Sequence, residues 1–248
     1  MNNVRTVSDT KRAFYAAHSR PINSIYRRVV EELMVEMHLL SVNADFSYDT
    51  LYALGMVTSF DRFMAGYQPE RDKTSIFESL CRAVDLEPQK VRQDAEQLKA
   101  TVDGRSLDDL KTLVGSLESS PEDSLGATLH AIASNKNYKY SRLMGIGTYT
   151  LVETVDAEVL KDKDQREALF QTLCEGLNIG DEKLQKDLDL YRSNLDKMEQ
   201  AQAVMRDILA AERKKREERA QAKASAATVP EDSQPSQEVE DSQAESST

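Results

Sequence analysis

The sequence predicts an all-α fold. Apolar residues recur at intervals of three and four along most of the chain, which is the spacing of one helical face. No pair of alternating strand patterns joined by a hairpin turn is present, and 9 glycines with 6 prolines are few for a turn-rich β protein. We expect a multi-helix bundle with a long, partly projecting C-terminal helix and a disordered acidic tail.

The N-terminal third predicts three helices. Ser8 is expected to cap the first, over TKRAFYAAH, and Pro21 to lie in the first turn of the second. The third should span about 50–66 and end at GYQP, because a glycine followed by a proline stops a helix. The apolar face of the second helix comprises Ile25, Val29, Leu33, Met37 and Leu40.

The middle of the chain contains an internal repeat of two similar segments, which we call the echo. IFESLCRAVDLEPQKVRQDAEQL, from Ile76, aligns without gaps with LFQTLCEGLNIGDEKLQKDLDLY, from Leu169, and each copy predicts helix, short turn, helix. Cys81 and Cys174 occupy equivalent positions on the apolar side of the first helix of each copy. We expect both thiols to be buried, because no CxxC spacing or local histidine favours a redox or metal role. Further helices are predicted over about 73–85, 88–102, 106–118, 122–134, 138–155 and 164–177.

The last helix is long because neither proline nor glycine occurs from Asp181 to about Ala222, a length of roughly 60 Å. Its first part carries a heptad seam of Leu184, Leu188, Tyr191, Leu195, Met198, Gln202, Met205 and Leu209. The seam suits either packing on the bundle or pairing with a second copy. We expect its first half to pack and its second half, ERKKREER, to project on charge pairs such as Glu212 with Arg216.

Composition divides the chain into a helical bundle over 1–180, the long helix over 181–223 and an acidic tail over 224–248. After Pro230 there are six acidic residues and no basic ones, so we expect the tail to be disordered. The 43 acidic and 32 basic residues give a net charge of −11, of which −5 belongs to residues 1–230. This balance argues against a nucleic-acid partner. Neither a signal peptide nor a transmembrane segment is predicted, which indicates a soluble intracellular chain.

The sequence contains no recognised motif for catalysis or cofactor binding. His18, His38 and His130 lie on different predicted helices, and none belongs to a recognised metal motif. The GIGT segment at Gly145 lacks the remaining residues of a phosphate loop and instead predicts a helix with close packing. We therefore expect no cofactor, no metal and no enzyme activity. A hydrolase or transferase in an unfamiliar helical fold remains an alternative and would need a polar pocket with converging ionisable groups.

Two basic segments are candidate partner-binding surfaces. The first lies near the N-terminus and comprises Lys11, Arg12, Arg20, Arg27 and Arg28. The second lies on the long helix and comprises Arg213, Lys214, Lys215 and Arg216. Either could meet an anionic partner or lipid headgroups. The alternative is that the N-terminal arginines pair with Glu31, Glu32 and Glu36, and that the helix end is only solvated.

Aromatic residues crowd the third helix and its approach. They are Phe46, Tyr48, Tyr52, Phe60, Phe63 and Tyr67, and they fall on more than one helical face. Exposed tyrosines favour protein contacts, but core packing is the expected position of most of these side chains.

Two long segments carry a family resemblance. VSDTKRAFYAAHSRPINSIYRRVVEELMVEMHLL, followed by DFSYDTLYALGMVTSFDRFMAGY, closely resembles the thylakoid formation protein family of cyanobacteria and chloroplasts. YKYSRLMGIGTYTLVE is similar to the same family, and the resemblance covers roughly residues 1–215. Because it starts within the first few residues, we expect a cyanobacterial source.

The resemblance implies a non-enzymatic accessory protein of photosystem II biogenesis and repair. It implies a peripheral position at the cytoplasmic face of thylakoids, with part of the protein in the soluble cytoplasm. The expected partner is the membrane-bound FtsH protease complex, with photosystem II assembly or repair intermediates as further candidates. The alternative is a peripheral protein that binds anionic lipids and organises thylakoid membranes.

Overall fold

The computed structural model describes residues 5–117 and 123–226, with side chains described as far as residue 221. Every regular element in these ranges is a helix, which confirms the predicted all-α class. The chain divides into two compact units, residues 1–202 and 203–248. The helices of the described ranges are α1 (Val7–Ala17), α2 (Ser24–Ser41), α3 (Thr50–Phe63), α4 (Glu70–Ala83), α5 (Pro88–Thr101), α6 (Leu107–Gly115), α7 (Ser124–Ser134), α8 (Arg142–Val155), α9 (Lys163–Leu177) and α10 (Asp181–Ala226).

The first two helices begin elsewhere than predicted. Thr6, not Ser8, caps α1: the Thr6 Oγ1 atom accepts from the Asp9 N–H at 3.2 Å, and Asp9 Oδ2 accepts from the Thr6 N–H at 3.0 Å. This reciprocal capping box satisfies two backbone donors, whereas a cap at Ser8 would satisfy one. Pro21 precedes α2, which Asn23 caps by accepting from the Ile25 N–H at 3.1 Å.

Other boundaries differ by a few residues. α3 ends at Phe63, three residues before the expected 66, and Gly66 adopts a φ of +74° that favours glycine. α8 begins at Arg142 rather than 138, because Ser141 Oγ accepts from the Met144 N–H at 3.1 Å and fixes its first turn. The expected end of one helix at 118 and start of the next at 122 lie outside the described residues.

The core of the first unit comprises two apolar clusters, and α3 contributes to both. The predicted face of α2 is buried at Leu33, Met37 and Leu40, whereas Ile25 and Val29 are only half-buried. Most of the aromatic residues at α3 and its approach were expected to pack in the core, and the structure places them there or against it. Tyr52, Phe60 and Tyr67 are buried, and Phe46, Tyr48 and Phe63 are partly buried against the clusters.

The central helix pair is α3 with α8, the most extensive helix contact in the described fold. Gly55 of α3 and Gly147 of α8 each face the backbone of the other helix, with no room for a Cβ atom. The helical, close-packing interpretation of the GIGT segment is therefore confirmed.

The internal echo forms two helical hairpins, α4–α5 and α9–α10, as predicted. Cys81 and Cys174 are buried at 0% and 1% exposure, and burial raises the pKa of each thiol to about 12. Asp85 and Asn178, which align in the echo, both adopt the left-handed conformation, with φ of 61° and 56°. The two turns are thus built alike.

The seam of α10 packs within the first unit through Leu184, Leu188 and Tyr191, all buried. At the end of this unit, Gln202 Nε2 donates to the Ala65 carbonyl at 2.8 Å. In the second unit α10 continues from Ala203 to Ala226, and every side chain over 206–221 is exposed. The helix therefore continues three residues beyond the predicted end at 223, and the rest of the predicted tail, 227–248, lies outside the described residues.

Candidate interaction surfaces

Three of the predicted N-terminal cations line one shallow groove along α2. Lys11 of α1 and Arg27 and Arg28 of α2 lie in this groove, together with Glu31, Glu32, Glu36 and Arg142 of α8. We call it the α2 groove. Sequence reasoning missed Arg142, because it reaches α2 from a helix more than 100 residues away.

Acidic residues of the α2 groove compensate much of its positive charge. Arg28 Nε lies 2.8 Å from Glu32 Oε1, and Lys11 Nζ lies 4.0 Å from Glu31 Oε2. These are the pairings that the alternative interpretation expected, and exposed pairs of this kind contribute little stability. Arg27 has no carboxylate partner within the described ranges, so it is the groove's open cation.

Glu36 and Arg142 form the most buried pair of the groove. Arg142 Nη2 lies 2.5 Å from Glu36 Oε2, and its Nε donates to the same oxygen at 3.1 Å. Burial raises the pKa of the Glu36 carboxyl, and the charge of Arg142 opposes that rise. This pair connects α2 to the start of α8.

The remaining N-terminal candidates lie apart from the groove. Arg12 pairs with Asp9 at 3.4 Å within α1. Arg20 Nε lies 2.7 Å from Asp72 Oδ1, and Asp72 is buried at the start of α4. Arg20 therefore fixes the connection between α1 and α2 against α4, so the structure does not bring all five predicted cations onto one surface.

The second unit presents an exposed apolar patch, of which the sequence analysis named only Leu209, as the last residue of the heptad seam. Val204, Ile208 and Leu209 are 57%, 52% and 56% exposed. Val204 and Ile208, four residues apart, lie on the same face of α10, and Leu209 lies about 100° around the helix from Ile208; we call the three residues the α10 face. The sequence does contain a pattern that could have predicted this patch, because Val204 and Ile208 are apolar residues four positions apart that lie outside the heptad seam.

The predicted cations of α10 begin one turn after the α10 face. Arg213 Nε lies 2.8 Å from Glu217 Oε1, so this pair forms in place of the expected Glu212 with Arg216. Within the described ranges, Lys214, Lys215 and Arg216 form no ion pair. Three open cations thus follow three exposed apolar side chains on the same helix.

Histidines and acidic residues of the described ranges form no group of three or more that could hold a metal ion. His18 and His38 are buried, where their Nδ1 atoms contact Ser75 Oγ at 3.0 Å and Thr10 Oγ1 at 2.8 Å. None of the described helices combines the length and the apolar character needed to cross a membrane.

Comparisons with known proteins agree with one another. The family model described as Thylakoid formation protein matches residues 6–220. Protein Thf1 of Trichormus variabilis is 61% identical over 222 residues, which cover 89% of this chain and 95% of the relative. Protein Thf1 of Rippkaea orientalis is 57% identical over 235 residues, covering 94% and 99%. The solved structure of Psb29 superposes with a TM-score of 0.77 at 44% identity and covers 86% of this chain and 98% of that one.

Proposed function

Because the chain belongs to the thylakoid formation protein family, we propose that it is a non-enzymatic adaptor that binds and stabilises the membrane FtsH protease complex. It would act in thylakoid biogenesis and photosystem II repair, bound peripherally at the cytoplasmic face of the membrane. Assembly or repair intermediates of photosystem II would be reached through the protease. Family membership supports a role in thylakoid biogenesis. The exposed apolar residues of the α10 face support binding to a protein partner through this helix.

The observation that carries the proposal is the exposure of Val204, Ile208 and Leu209. An apolar side chain of this size gains about 1.5–3 kcal/mol when it is fully buried. Adjacent exposed side chains of this kind suit the groove of a protein partner, where an amphipathic helix binds through anchors spaced three or four positions apart, as Val204 and Ile208 are.

The cations that follow the α10 face would determine the sign of the charge expected on the partner surface. Lys214, Lys215 and Arg216 lack carboxylate partners within the described ranges, so their charge is available to an acidic surface. Complementary charge of this kind raises the association rate and fixes orientation more than it raises affinity. The partner surface is therefore expected to combine an apolar groove with an acidic border.

Co-isolation of the protease from detergent-solubilised thylakoid membranes tests the proposal. The triple variant Val204→Ser, Ile208→Ser, Leu209→Ser should recover much less FtsH than the unchanged protein. Leu190→Ser is the matched control, because Leu190 is an apolar residue of the same helix with 47% exposure in the first unit. If the unchanged protein recovers no FtsH, or if all three proteins recover it equally, the proposal is wrong.

A charge variant separates the two parts of the surface. Replacing Lys214, Lys215 and Arg216 by glutamine keeps good helix formers and removes three charges. We expect slower association and a weaker dependence on salt, with a smaller loss of FtsH than the serine variant shows. An unchanged association rate would exclude these residues from the binding surface.

A second candidate function, binding to anionic lipids, is favoured by the α2 groove. Arg27 has no carboxylate partner within the described ranges, and Arg28 is largely exposed beside it. Flotation with anionic vesicles and no other protein tests this candidate, with zwitterionic vesicles as the control. Binding that is lost in Arg27→Gln, Arg28→Gln but kept in the α10 charge variant would support it. Absence of binding to anionic vesicles at low salt would exclude it.

A further inference from the structure

The acidic tail and the basic end of α10 are neighbouring stretches of opposite charge. Residues 231–248 contain six acidic side chains and no basic one. Residues 213–219 of α10 contain five basic side chains and two acidic ones. Opposite charges this close in one chain attract each other, unless each already has a nearer partner.

Three of the α10 cations have no nearer partner and share one side of the helix. Lys215, Arg216 and Arg219 lie within about 100° around the axis of α10, and we call them the α10 basic sector. All three are exposed, and none forms an ion pair within the described ranges. Glu212 lies on the same side and offsets one of the three charges. The sector therefore keeps an excess of positive charge that is open to an anion.

The tail is long enough to return to this sector. α10 is described as far as Ala226, so Arg216 lies about 15 Å back along the helix axis. From Ala226 to Glu238 an extended chain spans about 40 Å. The acidic cluster of Glu238, Glu240 and Asp241 therefore reaches the α10 basic sector with chain to spare.

Because the tail is tethered to α10, weak ion pairs are sufficient for contact. A segment joined by a short linker is present at an effective concentration in the millimolar range. Exposed ion pairs are individually weak, but a contact with a dissociation constant of about 1 mM is about half occupied under these conditions. We therefore expect a contact that forms and breaks repeatedly and that salt weakens.

We propose that the acidic tail folds back along α10, places its carboxylates on the α10 basic sector, and competes with acidic partners for these cations. Both groups belong to the second unit of this chain, so the inference does not depend on the protease being the partner. Arg216 belongs both to the sector and to the cations assigned above to the partner surface. The tail therefore acts as a competitor that the protein itself carries.

A distance measurement by pulsed electron paramagnetic resonance tests the contact in the full chain. Spin labels are attached at Ala211→Cys and Ser242→Cys, and the native thiols of Cys81 and Cys174 are too buried to take the label. A tail that does not touch α10 gives an average separation of about 30 Å between the labels. At low salt the folded-back tail should bring them within about 20 Å, and high salt should restore the longer separation.

Two variants assign the contact to the named charges. The sector variant is Lys215→Gln, Arg216→Gln, Arg219→Gln, which keeps good helix formers. The tail variant replaces all six carboxylates by amides: Glu231→Gln, Asp232→Asn, Glu238→Gln, Glu240→Gln, Asp241→Asn and Glu245→Gln. Each variant should show the longer separation at low salt. Lys186→Gln, Lys197→Gln is the matched control on exposed cations of the first-unit part of α10, and it should keep the short one.

Two results would overturn the proposed contact. One is an equal separation in the unchanged protein and in either the sector or the tail variant. The other is a short separation that disappears when labelled protein is diluted with unlabelled protein, because the tail would then bind a second copy.

Competition is measured with a synthetic polyglutamate peptide as the acidic probe. The tail variant should bind the peptide about two- to tenfold more tightly than the unchanged protein. Loss of six negative charges also weakens the general repulsion of the peptide, so the same comparison is made in the sector variant. The gain should disappear there, and a gain of equal size would overturn the competition for these cations.

Discussion

Gly55 and Gly147 face each other across the α3–α8 contact in a reciprocal arrangement. A Cβ atom on Gly55 would lie 1.6 Å from the Leu143 carbonyl oxygen, and one on Gly147 would lie 2.0 Å from the Leu51 carbonyl oxygen. Leu51 precedes Gly55 by four residues, as Leu143 precedes Gly147, so each helix makes the same contact with the other. Such reciprocity is the property of a two-fold symmetric interface.

Alanine at either glycine should destabilise the protein. A methyl group at Gly55 or Gly147 forces the two backbones apart, and overpacking of this kind costs about 1–3 kcal/mol, with the upper end expected here because carbonyl groups cannot turn away. Gly115→Ala, at the end of α6 with nothing within 4 Å, is the control and should be neutral or slightly stabilising. Urea unfolding measures all three. A stable Gly55→Ala protein would contradict the close contact.

The tyrosines before α3 and α8 are placed alike. Tyr48 Oη donates to Asp94 at 2.7 Å and Tyr140 Oη donates to Asp187 at 3.1 Å, and the two aspartates align in the internal echo. Lys90, beside Asp94, lies 5.2 Å from the Tyr48 ring centroid, and its counterpart Lys183 lies 5.0 Å from that of Tyr140. The similarity between the two hairpins therefore extends beyond the aligned residues to the tyrosines that precede α3 and α8.

Phenylalanine at the two tyrosines should have unequal effects. A hydrogen bond to a carboxylate contributes about 1.5–3 kcal/mol. Asp94 keeps the Lys90 ammonium at 2.5 Å, whereas Asp187 has no ion pair within the described ranges. Tyr140→Phe should therefore lower the free energy of unfolding more than Tyr48→Phe does. Equal losses in denaturant unfolding would show that Lys90 does not stabilise Asp94.

The left-handed turn residue of the second hairpin predicts opposite effects for two substitutions. Asn178 has a φ of 56° and ends α9, a position that glycine adopts without steric cost. Asn178→Gly should be neutral or raise the free energy of unfolding by about 0.5 kcal/mol. Asn178→Val should lower it by about 1–2 kcal/mol, because a β-branched side chain clashes in this conformation. Thermal unfolding that ranks valine above glycine would contradict the assignment of this turn.

Because both thiols are buried, the protein should become less stable at alkaline pH. Burial raises the pKa of Cys81 and of Cys174 from 9.0 to about 12, so the folded protein keeps protons that the unfolded chain releases. The contribution is complete below about pH 8.5 and is lost as pH rises toward 12. Between pH 8.5 and 9.5 the free energy of unfolding should fall, through the thiols and, toward pH 9.5, also through buried tyrosines, whose unfolded pKa is about 10. Cys81→Ala, Cys174→Ala should reduce this slope without abolishing it, and an unchanged slope would contradict thiol burial.

Periodicity was sufficient to predict most of the fold. The echo around the cysteines predicted two similar hairpins, because an apolar cysteine and a short turn are local features of the sequence. The cap at Thr6 could also have been found, since Asp9 three residues later completes a capping box. The reciprocal contact of Gly55 with α8 could not, because it depends on a partner 92 residues away.

The candidate surfaces were harder to predict for the same reason. Basic residues that are close in sequence lie apart in the structure. Arg20 contacts Asp72, whereas Arg27 lies in the α2 groove. Arg142 joined that groove from a distant helix. The cavity lined by α2, α3, α8 and α10 combines residues of four helices, and no local sequence pattern predicts it.

Site-specific photo-crosslinking in thylakoid membranes tests the adaptor proposal most directly. A photoreactive phenylalanine placed at Ile208, on the α10 face, should crosslink to an FtsH subunit. The same probe at Leu190, exposed on the first-unit part of α10, should give little such product. Crosslinking to FtsH from position 190 but not from 208, or from neither, would contradict the assignment of the α10 face as the docking surface.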